Sequence, residues 1–239
     1  MNTFFLDRLN SEPHALAFAG QSTPWPVALA DQSANPALDE ALHTHAAAAQ
    51  ALLYPVSAEL LATTGRPVDL FGFEPNPARL GAAAAASASV PGIALTQLGA
   101  LLDAAALGYN PAQAKPVAVL GHSQGVLAVH MVQAICEAGS IDAAAAKIDE
   151  ILAIATLIGV AGTRQARQLG LAARHGEATP MLSVKDITRA QVDALIERVD
   201  GARGPIAVAV TNSATHYVLS GYPEDLAAFG VEVAKEHKR

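Results

Sequence analysis

The sequence predicts an α/β fold, with a parallel-sheet core followed by a smaller ferredoxin-like unit. In the first two thirds, short apolar runs at 15–19 and 117–121 lead into glycine turns and alternate with stretches of helical spacing. From residue 179 onward the order becomes strand, helix, strand, strand, helix, which is a split βαβ order without its last strand. We therefore expect a core domain at 1–178 and an incomplete ferredoxin-like subdomain at 179–239.

The elements of the predicted core follow in chain order. The run ALAFA is stopped by a glycine, which predicts a buried strand, and a helix is expected over 36–64. GRPVDLFGFEPNP predicts a connector, whereas GAAAAASASVPG at 81–92 fits either a helix end or a linker. Ser89 and Pro91 resemble a helix start, and that helix is expected to stop at Gly108.

The second half of the chain supplies the remaining elements. VAVLG predicts another buried strand, and helices are expected over 124–138 and 142–172. In the tail, MLSVK, PIAVAVTN and THYVLSG predict strands, while TRAQVDALIERV and PEDLAAFGVEVAKEHK predict helices. A ferredoxin-like unit needs one more strand to complete its sheet, so we expect the chain to stop early at Arg239.

Composition and charge argue against several functional classes. The 239 residues are 51% hydrophobic with a net charge of -7, and no Lys/Arg cluster precedes the terminal KEHKR, so neither nucleic acid nor an anionic membrane is an expected partner. The N-terminus lacks the pattern of a signal peptide, and the apolar run at 151–162 is too short to span a bilayer. Cys136, the single cysteine, predicts a buried reduced thiol and a cytoplasmic protein.

The segment GHSQG at 121–125 joins a predicted strand to a predicted helix, which is the arrangement of a nucleophile elbow. Gly121 and Gly125 allow the tight turn, because side chains there would collide, and the turn lifts Ser123 into the open. The backbone amide of Gln124 then faces the group that Ser123 attacks, and it stabilises a tetrahedral oxyanion together with the helix dipole. The sequence therefore predicts acyl chemistry on a serine.

The histidines do not provide an obvious general base for this serine. His122 points away from Ser123 by turn geometry, and His130 lies about two helical turns further along. The other candidates fit surface or structural positions better, and they are His175, His216 and His237. No metal site is indicated.

Five segments, in this order, resemble the acyltransferases that act on acyl carrier proteins: FAGQSTPW, SVPGIALTQLGALLDA, GHSQG, LIGVAGT and VAVTNSATHYVLSG. The chain is most similar to the N-terminal acetyltransferase domain of actinobacterial type I fatty acid synthases, which are related to the fungal synthase. The resemblance implies the malonyl/acetyl transferase fold, an α/β-hydrolase-like core carrying a ferredoxin-like subdomain. It also implies a cytoplasmic multienzyme, with other synthase domains as partners and a homo-oligomeric assembly.

The resemblance also implies residue roles. Ser123 would take an acetyl group from acetyl-CoA and pass it to the phosphopantetheine thiol of acyl carrier protein, with no permanently bound cofactor. The amides of Gln124 and Gln21 would form the oxyanion hole, although Ser22 stands where relatives usually have glycine. The family's catalytic histidine follows the missing strand, in a motif absent from this chain. We therefore expect a fragment that ends before its general base and is impaired in isolation.

Acyl selectivity is expected to depend on Ala161. Malonyl-selective relatives have an arginine at the matching position, which pairs with the free carboxylate, and alanine cannot do this. Arg164 could reach back one turn, so malonyl transfer stays open, although solvated helix charges are the simpler account of Arg164 and Arg167. The sequence is also compatible with a palmitoyl-type transferase, a serine esterase or thioesterase, and a structural fragment of a synthase without activity of its own. Asn212 and Ser213 match a turn of the family, where a turn-forming role is the simpler account.

Overall fold

The computed structural model describes residues 3–20, 25–56, 58, 70–71, 86–168, 181–199 and 204–236. The chain forms two compact units, Met1–Ala166 and Arg167–Arg239. The predicted domain boundary at 178 falls outside the described residues and stays a prediction.

Helices make up most of the first unit. In the part of the chain that the structure describes before residue 169, they are α1 (Thr3–Ser11), α2 (Trp25–Ser33), α3 (Pro36–Leu52), α4 (Ala86–Ala106), α5 (Pro111–Ala114), α6 (Gly125–Ala138) and α7 (Ile141–Gln168). A 3-10 turn at Tyr54–Val56 follows α3. The predicted helices at 36–64 and 142–172 both extend into residues that are not described.

Local chemistry explains where several of these helices begin and end. The Asn35 side chain accepts a hydrogen bond from the backbone amide two residues on, and Pro36 opens α3, which suits a helix N-terminus. Asn110 and Pro111 repeat this arrangement at the start of α5. α6 ends at Ala138 and is capped by Gly139, whose φ of +89° lies in the left-handed region that glycine adopts without steric cost. These boundaries follow from the local sequence alone.

A parallel pair of strands, β1 (Ala15–Phe18) and β2 (Ala118–Gly121), lies in the first unit. Ala15 pairs with Ala118 at one end of the register, and Phe18 pairs with Gly121 at the other. A parallel pair requires a long crossover connection, and α2 to α5 belong to it here. Both strands consequently end at the same edge of the sheet, and the turns that follow them leave side by side.

The core of the first unit is built around α4, which contacts α2, α3 and α6. Ile93, Leu95 and Leu98 are among its fully buried side chains, and Leu42 from α3 and Met131 from α6 are buried in the same cluster. By length and composition α4 is the one described helix that could cross a membrane, but 72% of its apolar window is buried inside the protein. That burial is typical of a core helix.

The second unit is a three-stranded antiparallel sheet with two helices. Its described elements, in chain order, are β3 (Met181–Lys185), α8 (Arg189–Val199), β4 (Ala207–Ser213), β5 (His216–Ser220) and α9 (Pro223–Glu236). The strand order is β3-β5-β4, so the last strand in sequence lies in the middle. Leu195 from α8 and Phe229 from α9 pack with Tyr217 and Leu219 into a separate core. The predicted order of strands and helices is confirmed.

Two predictions about the core elements are wrong. The strands predicted as buried are partly exposed, and in β1 only Leu16 and Phe18 pack against the core. The second wrong prediction is the helix start at Ser89, because α4 already begins at Ala86. The Ser87 amide donates a hydrogen bond to Thr163 Oγ1 of α7 at 2.8 Å, so a residue distant in sequence satisfies the first turn of the helix.

The environment of the single cysteine also differs from the prediction. The sequence predicts a buried Cys136, but this residue is exposed on α6. Its neighbour Ile135 is fully buried, and a step of one residue turns the side chain by about 100° around a helix. Desolvation, and then the charge of Glu137, raise the pKa of the Cys136 thiol. The thiol therefore stays protonated and weakly nucleophilic at neutral pH.

Candidate active site

The GHSQG turn lies where the parallel strands end. β2 ends at Gly121 and α6 begins at Gly125. The His122 amide donates a hydrogen bond to the Phe18 carbonyl at 3.0 Å, which ties the turn to the end of β1. The carboxyl ends of parallel strands are where α/β proteins assemble their sites, so the fold places GHSQG at such an edge.

Ser123 has a strained backbone within this turn. Its φ of +54° lies in the left-handed region, which costs a residue with a side chain about 1–2 kcal/mol. Hydrogen bonds on both sides hold this conformation: the Gly125 amide donates to the His122 carbonyl at 2.9 Å, and the Val126 amide donates to the Ser123 carbonyl at 3.2 Å. The residue is exposed as a result. This strand, strained turn and helix have the geometry of a nucleophile elbow.

Glycines at both ends of the elbow allow backbone segments to touch. A Cβ on Gly121 would lie 2.5 Å from the Gly125 carbonyl carbon and 2.6 Å from the Val126 nitrogen. A Cβ on Gly125 would collide with the Phe18 carbonyl oxygen, which is backbone and has no flexible end that could move aside. The contact between the start of α6 and the end of β1 therefore depends on the absence of a side chain at Gly125.

A third glycine, Gly20, brings the turn after β1 against the serine. A Cβ on Gly20 would lie 2.7 Å from the Ser123 Cβ and 3.1 Å from the Gln124 nitrogen. The sequence pattern marks Gly20 only as the residue that stops a strand. Its position directly before Gln21, in the FAGQS segment, is the signal that could have identified it.

The backbone amide of Gln124 can act as an oxyanion donor. Gln124 is the N-cap of α6, with φ -62° and ψ -18°, and its side chain does not cap the helix. Within the described part of the chain, no acceptor is found for this N–H. The positive end of the α6 dipole lies at the same place, so an anion beside Ser123 would meet both the amide and the dipole.

His122 is exposed directly before Ser123 in the turn, and no described histidine is hydrogen-bonded to Ser123. His130 is exposed on α6. On β5, His216 Nε2 contacts Ser183 Oγ at 2.9 Å and Asn212 Nδ2 at 3.4 Å. His175 and His237 lie outside the described residues, as do Gln21 and Ser22. Among described residues Ser123 Oγ has no hydrogen-bond partner, and no group of three His, Cys, Asp or Glu side chains could hold a metal ion.

Comparison with known families gives this geometry a context. The family model described as "Starter unit:ACP transacylase in aflatoxin biosynthesis" matches residues 74–239. The chain belongs to this family. The matched region contains the whole elbow, α7 and the second unit, whereas β1 and Gly20 precede it.

A curated relative and two solved structures extend the comparison. The fatty acid synthase beta subunit hexB of Dothistroma septosporum is 30% identical over 128 residues, 48% of this chain and 7% of that protein, so the chain spans a small part of its relative. The structure of the malonyl CoA-acyl carrier protein transacylase of Coxiella burnetii matches with a TM-score of 0.54 at 17% identity. The match covers 94% of the present chain and 58% of the Coxiella protein.

The second structure is the complex of PlMCAT, a malonyl-transacylase, with the type II PKS acyl-carrier protein AntF. Its TM-score is 0.53 at 16% identity, and the match covers 94% of this chain and 60% of that one. At these identities the likeness shows the fold. The chain has the acyltransferase fold, α/β with a parallel sheet, and the predicted fold class is confirmed.

The position predicted to select the acyl group lies on α7 of this transacylase-family chain. Ala161 is exposed, and one turn before it Leu157 and Ile158 expose 44% and 51% of their surface. Arg164, three residues after Ala161, is also exposed, and the side chain of Arg167 lies outside the described part. The surface on the N-terminal side of Ala161 is therefore apolar.

Proposed function

We propose that this chain transfers an acetyl or other short uncharged acyl group from coenzyme A to the phosphopantetheine thiol of an acyl carrier protein. The observation that carries the proposal is Ser123, exposed at φ +54° between β2 and α6, beside the backbone amide of Gln124. Membership of an acyl-carrier-protein transacylase family supports acyl transfer as the reaction class.

The proposed reaction has two halves, with an ester on Ser123 between them. In the first half, Ser123 Oγ attacks the thioester carbonyl carbon, its proton passes to a general base, and the carbon–sulfur bond breaks to release coenzyme A as the thiol. In the second half, the phosphopantetheine thiol attacks the ester, the carbon–oxygen bond breaks, and Ser123 regains its proton. Each half passes through a tetrahedral oxyanion, which the amides of Gln124 and Gln21 would stabilise.

The general base is proposed to be a histidine, as the family resemblance implies. A serine hydroxyl is a weak nucleophile without a base, so acyl loading should be slow wherever this histidine is absent. The elbow and its amides would still direct the slow reaction to Ser123, because oxyanion stabilisation persists when a base is missing.

The acyl group is proposed to be uncharged because of the surface around Ala161. A malonyl carboxylate needs a cation for bidentate pairing, whereas Leu157 and Ile158 are apolar on one side of Ala161 and Arg164 lies on the other, one turn further along α7. If the bound acyl group is shielded from water, an unpaired carboxylate there costs several kcal/mol, which is enough to separate an accepted substrate from a rejected one.

The proposed setting is the cytoplasm, inside a larger oligomeric fatty acid synthase. The relative hexB is a synthase subunit, and the aligned segment is a small part of it, which supports a role as one domain among several. An acyl carrier protein of the same synthase is the proposed acceptor.

The experiment is an acetyl transfer assay with radiolabelled acetyl-CoA and holo acyl carrier protein. We expect label on the holo carrier but none on the apo carrier, which lacks the thiol, and none with Ser123→Ala. Release of free acetate at the same rate with and without carrier protein would instead indicate an esterase. Label on the carrier that persists in Ser123→Ala would contradict the proposed nucleophile.

Selectivity is tested by giving position 161 a cation. Ala161→Arg should raise malonyl loading relative to acetyl loading by about tenfold or more, because the new guanidinium can pair with the carboxylate. Ala161→Met is the size control and should not raise the ratio. An unchanged ratio in Ala161→Arg would show that position 161 does not contact the acyl group.

A further inference from the structure

Gln97 is a buried polar residue in the middle of α4. It exposes only 9% of its surface, and its Nε2 donates a hydrogen bond to the Ala19 carbonyl at 2.5 Å. Its Oε1 is also buried, and it has no hydrogen-bond donor within the described part of the chain. Burying a carboxamide is unfavourable unless its hydrogen bonds are made, so this side chain needs an explanation beyond filling space.

The carbonyl that Gln97 holds belongs to the segment that touches the elbow. The Phe18 carbonyl accepts from the His122 amide at 3.0 Å, the next carbonyl, of Ala19, accepts from Gln97, and the next residue, Gly20, lies against Ser123. Consecutive carbonyls of one short segment are thus fixed in different directions. One is bound to the elbow and the other to the core helix.

We propose that Gln97 is a positioning residue for acyl transfer, which acts by holding the Ala19 carbonyl and thereby setting Gly20 against Ser123 and the Gln124 amide. The inference rests on the proposed function, because what Gln97 positions is the oxyanion side of the elbow. Without the bond from Nε2, the Ala19 peptide can rotate, and Gly20 is no longer confined to its contact with Ser123. Displacements of about 1 Å in such a site reduce rates by up to about 100-fold.

A matched control exists on α2. The Gln32 Nε2 donates to the Thr96 carbonyl at 2.8 Å, and the Gln32 Oε1 is also buried without a partner among the described residues. Gln32 therefore makes the same kind of bond to the same region of the core, but not to the segment before Gly20. Methionine has nearly the length of glutamine and no N–H donor, so Gln97→Met and Gln32→Met each remove one comparable hydrogen bond.

The experiment compares the full chain with Gln97→Met and Gln32→Met in three measurements. Acylation of Ser123 is followed over time at several acetyl-CoA concentrations, and a fluorophosphonate that labels activated serines gives a rate independent of coenzyme A. Hydrogen exchange is measured on the peptide covering 15–24. We expect Gln97→Met to lower the saturating acylation rate and the fluorophosphonate rate about 10- to 100-fold, with the half-saturating acetyl-CoA concentration within about twofold.

Exchange in the 15–24 peptide should become faster in Gln97→Met but not in Gln32→Met. Rates within twofold of each other in the two variants, with equal exchange, would overturn the inference and leave Gln97 as a structural residue. If the wild-type chain takes no acyl group from any coenzyme A ester, the proposed function fails. The fluorophosphonate rates and the exchange then still decide whether Gln97 positions the elbow.

Discussion

Two exposed serines, one in each unit, occupy opposite kinds of environment. Ser123 has a strained backbone at φ +54° and an adjacent helix N-terminus, but its hydroxyl has no hydrogen-bond partner among the described residues. Ser183 lies on the regular strand β3, and its hydroxyl contacts His216 Nε2 at 2.9 Å. Judged by its histidine partner alone, Ser183 would be the better nucleophile.

The comparison shows that backbone geometry, more than a hydrogen-bond partner, distinguishes the candidate nucleophile. Ser183 lies in a regular strand whose backbone pairs with β5, without the positive φ and the adjoining helix N-terminus of Ser123. At the elbow, glycines let three backbone segments meet, and the Gln124 amide beside Ser123 has no acceptor among the described residues. The elbow therefore depends on backbone contacts, and the second unit depends on buried side chains.

The largest effect on the acylation rate is expected from adding one methyl group at the elbow. Gly125→Ala places Cβ against the Phe18 carbonyl oxygen, so α6 must move from β1, and acylation of Ser123 should fall at least 100-fold. The control is Gly230→Ala on α9, where the nearest atom is a Leu182 methyl at 3.8 Å. This change should stabilise the helix by about 0.5–1 kcal/mol. Equal tolerance at both glycines, measured by fluorophosphonate labelling and thermal unfolding, would break the comparison.

A smaller effect is expected at the turn after β1. Gly20→Ala places Cβ 2.7 Å from the Ser123 Cβ and 3.1 Å from the Gln124 nitrogen, and the acylation rate should fall about 10- to 100-fold. Gly221→Ala, whose Cβ would meet side chains at 3.4 Å or more, should leave the rate within about twofold. Rapid-quench acylation measures both variants. An unaffected rate in Gly20→Ala would show that this turn does not border the reacting group.

The second unit should respond to the loss of side chains. Leu219 is fully buried in the central strand β5, and Leu219→Ala should lower the free energy of unfolding of this unit by about 2–5 kcal/mol. Val210→Ala on β4, where the side chain is 42% exposed, should cost less than about 0.5 kcal/mol. The two variants are compared by urea titration, with hydrogen exchange in the 216–220 peptide as the measure of unfolding of this unit. Equal losses would mean that side-chain burial does not stabilise this unit.

The smallest effect on stability is expected from ionisation of Tyr109. This side chain is buried in the first unit, and its hydroxyl contacts His14 Nε2 at 2.8 Å. Burial, and then the charge of Cys136, raise the pKa of Tyr109 above its ordinary value of 10. Above pH 10 the unfolded chain loses this proton while the folded chain retains it, so stability should fall as pH rises. Between pH 9 and pH 11 the free energy of unfolding, measured by denaturation, should fall less in Tyr109→Phe than in the wild type. An equal fall in both would contradict this expectation.

Strands and helix ends that depend on neighbouring residues could be predicted from the sequence, whereas features that depend on contacts between distant residues could not. Strand alternation and glycine turns predicted β3, β4 and β5, and Asn–Pro pairs fit the helix starts at α3 and α5. The start of α4 depends on Thr163, 76 residues away from Ser87, and the contact of Gln97 with Ala19 spans 78 residues. The only local indication of this contact was that Gln97 is polar although its neighbours along α4 are mostly apolar.

Intact mass after incubation with acetyl-CoA, measured for the wild-type chain, Ser123→Ala and Ser183→Ala, decides which serine is the nucleophile. The account predicts one added acetyl group on the wild type and on Ser183→Ala, and none on Ser123→Ala. It also predicts little loading from malonyl-CoA. An adduct that is lost in Ser183→Ala and retained in Ser123→Ala would contradict the account, because the histidine partner, and not the elbow, would then define the nucleophile.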